Sequence, residues 1–322
     1  MAERSKIEWT DHTFNPWIGC TKISPGCDNC YAADMAHRYG WAEFATGAPR
    51  HRTSSSYWRQ PIAWNRKAEA NGVRAKVFPS LCDPFDAEVD AAWRRDFVEL
   101  IRATPAIDWL LLTKRPHLAG KHWAELDMPV NVWLGTSVES QAMADLRVPQ
   151  LIDVPARVRF LSCEPLLGPV DLTAICTGHH FIDALTGTRY HDSPEPSATM
   201  PCGKIDWVIA GGESGPKARP SHPDWIRSLA LQCQWSNENV EHPGTPFFFK
   251  QWGEWGPGAA RAWHREFEIH WGELVQTTTP FGDSAFLAIP NTRRPQVTLL
   301  ERFGKKAAGA MLDGLEHRAM PT

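Results

Sequence analysis

The run DWLLLTKRP at residues 108–116 sets the frame for the whole chain: four large apolar residues, then Thr113, Lys114 and Arg115 ahead of a proline. It is too short for a buried helix and too continuous for a strand with one wet face, so it reads as a strand covered on both sides, as in a parallel sheet. The same pattern returns in KVFPSLCDPF (76–85), NVWLGTSVES (131–140), RVRFLSCEPL (157–166), DWVIAGGESG (206–215) and PFFFKQWGEW (246–255). Helical patterns lie between these runs at 90–104, 118–126, 140–152 and 223–240, and a further helix is expected at 31–39 after a first strand near 13–18. This alternation predicts an α/β fold, a partial (βα)6-type TIM barrel of mainly parallel strands over residues 1–255, with an open doubly wound sheet as the alternative.

Two stretches interrupt the rhythm. Residues 167–205 read as an insertion of loops with a hairpin around DALTGTRY (183–190), and residues 256–322 as a C-terminal appendage of short strands covering one face of the barrel.

A hydrophobic fraction of 43% and a charged fraction of 22%, with no long apolar run, are those of a globular protein with no membrane partner. The start, MAERSKIEWTDHTF, has neither an apolar signal core nor an arginine-rich amphipathic pattern, which leads to the expectation of a cytoplasmic protein. In that compartment the eight cysteines are expected as thiols or metal ligands rather than disulfides. The net charge of −3 provides no global attraction to nucleic acid, so any such contact needs a local basic patch. Sixteen tryptophans serve either base stacking or large core positions.

In barrels of parallel strands, chemistry gathers where the C-terminal strand ends converge. Those ends carry Cys82 and Asp83; Thr113, Lys114 and Arg115; Ser137 and Glu139; Cys163 and Glu164; Gly211, Gly212 and Glu213; and Lys250 and Gln251. Ahead of them all stands WIGCTKISPGCDNCYAADMAHR (17–38), which places Cys20, Cys27 and Cys30 at C-x6-C-x2-C. Soft thiolates suit zinc or an iron–sulfur cluster. A structural zinc wants four ligands, and no fourth follows at finger spacing, whereas a cubane with three protein thiolates keeps one iron open.

The three-cysteine loop after a first strand, together with the serial βα units, resembles the radical S-adenosylmethionine superfamily. More closely, KIEWTDHTFNPWIGCTKISPGCDNCYA, LLLTKRP, FLSCEPLLGPVDL, VIAGGESGPKARP and FFFKQWGEW are similar to a bacteriophage-associated family of unknown function, itself similar to spore photoproduct lyases; the likeness runs from Lys6 to Trp255. The resemblance implies that Cys20, Cys27 and Cys30 bind a 4Fe-4S cluster. It also implies that S-adenosylmethionine completes the open iron, that a hydrogen atom is taken from substrate, and that a donor such as flavodoxin or ferredoxin supplies the electron.

The resemblance also implies roles at the cofactor for residues at matching strand ends, and side-chain chemistry suggests the others. Asp83 is expected to receive the cofactor's ammonium, and Thr113, Ser137, Glu139 and Glu164 to line the cofactor; Ser137 and Glu139 equally suit helix capping. Lys114 and Arg115 suit a carboxylate or phosphate, or an ion pair with Glu164 or Asp83. Cys82, Cys163 and Glu213 are catalytic candidates, the two thiols as hydrogen-atom donors or as small buried hydrophobes. Gly211 and Gly212 mark close backbone approach to a ligand, or a tight turn. Lys250 and Gln251 are expected on the substrate, as are Arg50 and Arg52 in RHRTSSSYWRQPIAWNRK (50–67), where cations interleave with aromatics. A second basic run spans 293–306, and Cys176, His179, His180 and Cys202 offer loosely spaced metal ligands in the insertion. Together these lead to a radical enzyme acting on a nucleobase, nucleotide or nucleic acid, as in phage base modification or repair. The alternative is a zinc-stabilised nucleic-acid-binding or adaptor protein without turnover.

Overall fold

The computed structural model describes residues 5–178, 180–191, 199–236, 244–257, 274–279, 282–288 and 297–321. Seven strands form one sheet in the order of the chain: β1 (His12–Thr13), β2 (Ala75–Phe78), β3 (Ile107–Thr113), β4 (Val132–Ser137), β5 (Val158–Cys163), β6 (Trp207–Gly211) and β7 (Phe247–Gln251). Every neighbouring pair is parallel, and the sheet curls into a half-barrel. Parallel neighbours need crossovers. These are supplied by α1 (Tyr31–Arg38) and α2 (Gln60–Asn71) between β1 and β2, then singly by α3 (Ala91–Arg102), α4 (Pro116–Glu125), α5 (Gln141–Ile152) and, between β6 and β7, α6 (Pro223–Trp235). Helix starts follow local chemistry: the Asp90 carboxylate accepts from the Ala92 amide at 2.7 Å, and α4 and α6 open on proline.

Among the described residues the β5–β6 crossover carries no helix. The expected insertion occupies it, folded as a four-stranded antiparallel sheet of Ile175–Cys176, His180–Asp183, Thr188–His191 and Met200–Pro201, with the hairpin where the sequence placed it. Beyond β7, strands Trp255–Pro257, Leu274–Thr279, Gly282–Ala288 and Val297–Arg302 form a second antiparallel sheet. A short helix α7 (Lys305–Ala308) follows. The tail then returns to the barrel: the Phe249 amide donates to the His317 carbonyl, and the Ala319 amide to the Phe247 carbonyl. An edge strand invites unwanted pairing, and this tail satisfies the free edge of β7. Among the described residues no helix is long and apolar enough to cross a membrane.

Most of the described tryptophans serve packing. Trp109 packs between sheet and helices, with Phe14 and Phe97. On the concave face a separate plug gathers Trp9, Phe78, Leu110, Trp133, Phe160, Trp207 and Phe248, with Trp133 and Phe248 each edge-on to Trp207. Each buried tryptophan contributes about 4–6 kcal/mol from apolar area alone. Gly135 makes the plug possible, because a Cβ there would stand 2.4 Å from the Phe160 ring. The concave face is therefore filled at its lower end, and its polar residues lie above, at the C-terminal ends of the strands.

Two local expectations change. The first strand is two short ones: His12–Thr13 in the main sheet, and Trp17–Ile18 paired antiparallel with His51–Arg52. Residues 60–67 of the basic stretch form the start of α2, and its aromatics pack inward, with Tyr57 stacked on Phe14 and Trp64 on His12, while Arg52, Arg59, Arg66 and Lys67 stay exposed. Of the second basic run, residues 293–296 lie outside the described residues, as do the predicted end of the sixth helix at 237–240 and His179.

Candidate functional site

After Ile18 the chain makes a parallel bridge between Gly19 and Cys82, which brings the start of the cysteine loop against the end of β2. Cys27 closes the single 3-10 turn Pro25–Cys27, and Cys30 stands at the N-cap of α1. All eight cysteines are free thiols; Cys27 is buried, and Cys20 and Cys30 are half-buried.

Charged side chains from three strand ends reach up and hold this loop. After β3, Arg115 donates through Nη2 to the Thr21 carbonyl at 2.7 Å and through Nη1 toward Cys20 Sγ at 3.7 Å. After β4, Glu139 accepts from the Gly26 amide at 3.3 Å and pairs with Arg147 at 2.7 Å. After β6, Glu213 accepts from Asn29 Nδ2 at 3.0 Å and is forked by Arg219, whose Nη2 also reaches the Pro25 carbonyl at 2.9 Å. The loop thus lies across the C-terminal ends of the half-barrel, fastened at Thr21, Gly26 and Asn29. Charge-assisted bonds of this kind, made to partly buried groups, are stronger than neutral ones.

Asp83 is buried and already saturated. It accepts from Thr113 Oγ1 at 2.7 Å, from the Lys114 and Phe85 amides, and from Arg115 at 2.8 Å. The ammonium expected there is replaced by a guanidinium. Burial first, then the Asp83 charge, pushes the Cys20 thiol up to about 12 although Arg115 pulls it down. Burial and Asp83 likewise raise Cys82. Burial also works to raise the Glu139 carboxyl, but Arg147 and the Ser24 hydroxyl outweigh it and hold the carboxyl below its usual range.

Above the plug, a polar belt crosses the concave face. Lys114 Nζ donates to Ser137 Oγ at 3.2 Å and has no carboxylate within ion-pair reach among the described residues. Lys250 Nζ meets Glu164 Oε1 at 3.0 Å, off the angle of a good hydrogen bond, across the intervening strand β6. That bridge passes over Gly211, where a Cβ would lie 2.6 Å from Glu164 Oε1. Gly212 is tight for another reason: its Cβ would lie 1.8 Å from the Trp252 carbonyl oxygen. The close approach read from this glycine pair is therefore to the protein itself.

The structure sends several other candidates elsewhere. Cys163 is fully buried on the helix side of the sheet with Cys233, facing away from the concave belt, and is a core residue. Thr113 spends its hydroxyl on Asp83, and Gln251 is buried against Ser214. Arg50 is no surface cation: its side chain is 1% exposed, paired with Asp86 at 2.7 Å and bonded to Thr21 Oγ1. Arg52 pairs with Asp96 and lies over Trp58. In the insertion, Cys176 and Cys202 fall at opposite edges of the small sheet. Sequence reading missed Asn29, Arg147, Arg219 and Asp86 as supports; Arg219 sits inside the quoted VIAGGESGPKARP, but its partner six residues back is visible only once the loop folds.

Among the described residues no three His, Cys, Asp or Glu side chains converge where one ion could sit. A single zinc would require each sulfur about 2.3 Å from a common centre. A cubane asks less convergence, since each thiolate binds its own iron. Three free soft donors in an eleven-residue loop fit that group in number and chemistry. No curated protein and no solved structure matches the chain. A family model described as "Protein of unknown function (DUF5131)" matches residues 4–321, nearly the whole length, and the chain belongs to that family.

Proposed function

We propose that this protein is a radical S-adenosylmethionine enzyme of the partial (βα)6-barrel type, with Cys20, Cys27 and Cys30 holding a 4Fe-4S cluster. The observation that carries this reading is the fastening of the three-cysteine loop across the strand ends by Arg115, Glu139 and Glu213 with Arg219. A loop that only pinned the N-terminus would have no need of strand-end charges from three separate βα units. Bound there, cluster and S-adenosylmethionine supply hydrogen-atom abstraction through reductive cleavage of the sulfonium.

The chain's own residues supply the rest. The Arg115 N–H directed at Cys20 supports negative charge on that sulfur, and Asp83 keeps the guanidinium in place. Lys114, lacking a carboxylate partner, is available to an anionic group such as the cofactor carboxylate or a nucleotide phosphate. Glu164 and Lys250 present both charges on the same wall, and Cys82 stands half-buried beside Cys20 as the remaining thiol candidate. The aromatic plug seals the concave face from below and excludes water from radical chemistry. A nucleobase, nucleotide or nucleic acid is the proposed substrate class, resting on Lys114 and Lys250 now that Arg50 and Arg52 are engaged within the protein. Eight free thiols suit a cytoplasmic setting.

The test is product formation. Anaerobically reconstituted protein, reduced with dithionite, should release 5′-deoxyadenosine from S-adenosylmethionine, and Cys20→Ala, Cys27→Ala and Cys30→Ala should each abolish it. Equal release by wild type and all three variants would defeat the assignment.

A further inference from the structure

We infer that Arg115 and Asp83 together set the reduction potential of the cluster, Arg115 raising it through its N–H on Cys20 and Asp83 lowering it; this rests on the cluster reading above. The three loop thiols are not equivalent. Arg115 Nη1 stands 3.7 Å from Cys20 Sγ, whereas Cys27 Sγ meets the neutral Ser24 hydroxyl at 3.8 Å, and no charged donor reaches Cys27 or Cys30 among the described residues. The guanidinium is held on two further sides. The same Nη1 donates to Asp83 Oδ2 at 2.8 Å, Nη2 donates to the Thr21 carbonyl at 2.7 Å, and Asp86 Oδ1 lies 3.8 Å from Nη2. Asp83 is in turn fixed by Thr113 Oγ1 and by the Lys114 and Phe85 amides. Carboxylate, guanidinium and sulfur thus form one chain, and its two charged members are buried.

Reduction adds one electron and no atom, so the charge spread over irons and sulfurs becomes more negative by one unit. Hydrogen bonds to the sulfurs, nearby charge and solvent exposure are what set the potential of such a group. Arg115 favours the added charge and Asp83 opposes it, in the same senses in which the two act on the Cys20 thiol. Asp86 opposes it as well, but Arg50 is paired with Asp86 at 2.7 Å and offsets most of its charge. Water screens charges at an exposed site and screens buried ones far less, which gives Arg115 and Asp83 their leverage. Arg115 acts through Cys20 and is therefore a positioning residue rather than a catalytic one.

The experiment is a potentiometric titration of the reconstituted full chain in the absence of S-adenosylmethionine. Dithionite and mediator dyes set the potential, and the electron paramagnetic resonance signal of the reduced cluster gives the reduced fraction of the loaded protein. Arg115→Met should shift the reduced-to-oxidised ratio at fixed potential about tenfold toward the oxidised form, the scale of one lost charge-assisted hydrogen bond; for one electron that is a potential about 59 mV lower. Asp83→Asn leaves the guanidinium bonded to Thr21 and should shift the ratio the opposite way. Arg115→Lys keeps the charge without the fork and should fall between wild type and Arg115→Met. A merely structural role would lower iron and sulfide content in all three variants without moving the potentials in opposite directions. Should Arg115→Met fail to take up iron, the other two variants still decide. Unchanged potentials, or shifts of one sign in the arginine and aspartate variants, would overturn the inference and leave the cluster standing. Wild-type protein that takes up no iron and sulfide would instead remove the cluster reading itself.

Discussion

Arg115→Met isolates the contact that joins the barrel to the cysteine loop. Arg115 and Asp83 are 2.8 Å apart with side chains 7% and 8% exposed, so the pair is shielded from solvent. Removing one partner of such a pair leaves an uncompensated buried charge and typically costs about 3–5 kcal/mol. Asp83 keeps bonds from Thr113, Lys114 and Phe85, which places the expected loss near the lower figure, while the Thr21 carbonyl loses its charged donor. Urea unfolding of the metal-free protein under reductant, followed by tryptophan fluorescence, should show a loss of about 3 kcal/mol. Combining it with Asp83→Asn should cost clearly less than the two single losses added together, because neither charge is then stranded. A loss below about 1 kcal/mol, the range of an exposed pair, or simple additivity in the double variant, would refute the claim that this is a buried clamp.

Other consequences are reachable by simple measurements. Glu139 has a folded pKa below its ordinary 4.5, so the unfolded chain binds its proton first; the stabilisation is complete above about 4.5 and is lost as pH falls through the folded value, a dependence that Glu139→Gln should erase from acid-unfolding curves. With its thiol near 12, Cys20 should alkylate in metal-free protein at a rate still climbing at about pH 10, where an ordinary thiol has levelled off; a rate profile with its midpoint at about pH 8.5 would show that the loop is not held as described. Gly135→Ala drives a Cβ into the Phe160 ring and should lower stability by about 1–3 kcal/mol in the same urea assay, with wild-type stability counting against the plug. Deleting residues 315–321 uncovers the edge of β7 and should yield self-association by light scattering, whereas a monomeric product would mean the tail is dispensable there.

The sheet was legible because strands buried on both faces write continuous apolar runs, and six such runs give the order and direction of β2 to β7. Strand β1 was harder, since two residues of pairing leave almost no pattern. The tail on β7 left no pattern either, because it binds through backbone atoms. The cysteine spacing and the strand-end positions of Arg115, Glu139 and Glu213 could be read directly, and the Arg115–Asp83 ion pair was one of the alternatives offered there, but the partners of Glu139 and Glu213 could not be read. Charges at a strand end look alike whether they face a ligand or another loop, and only folding decides for the Asp83–Arg115 pair and shows that Glu213 meets Arg219. Arg50 illustrates the same limit: interleaved cations and aromatics suggest a nucleic-acid surface, whereas Asp86 and Thr21 draw the guanidinium into the core. Cys163 failed for parity, since one residue along a strand separates the concave face from the helix side.

The central claim is that three loop thiols carry a cluster at the mouth of the half-barrel. It is tested most directly by metal and acid-labile sulfide analysis of protein purified without oxygen. About four irons and four sulfides per chain, lost on Cys27→Ala, is the predicted result; one zinc per chain with no sulfide would contradict it.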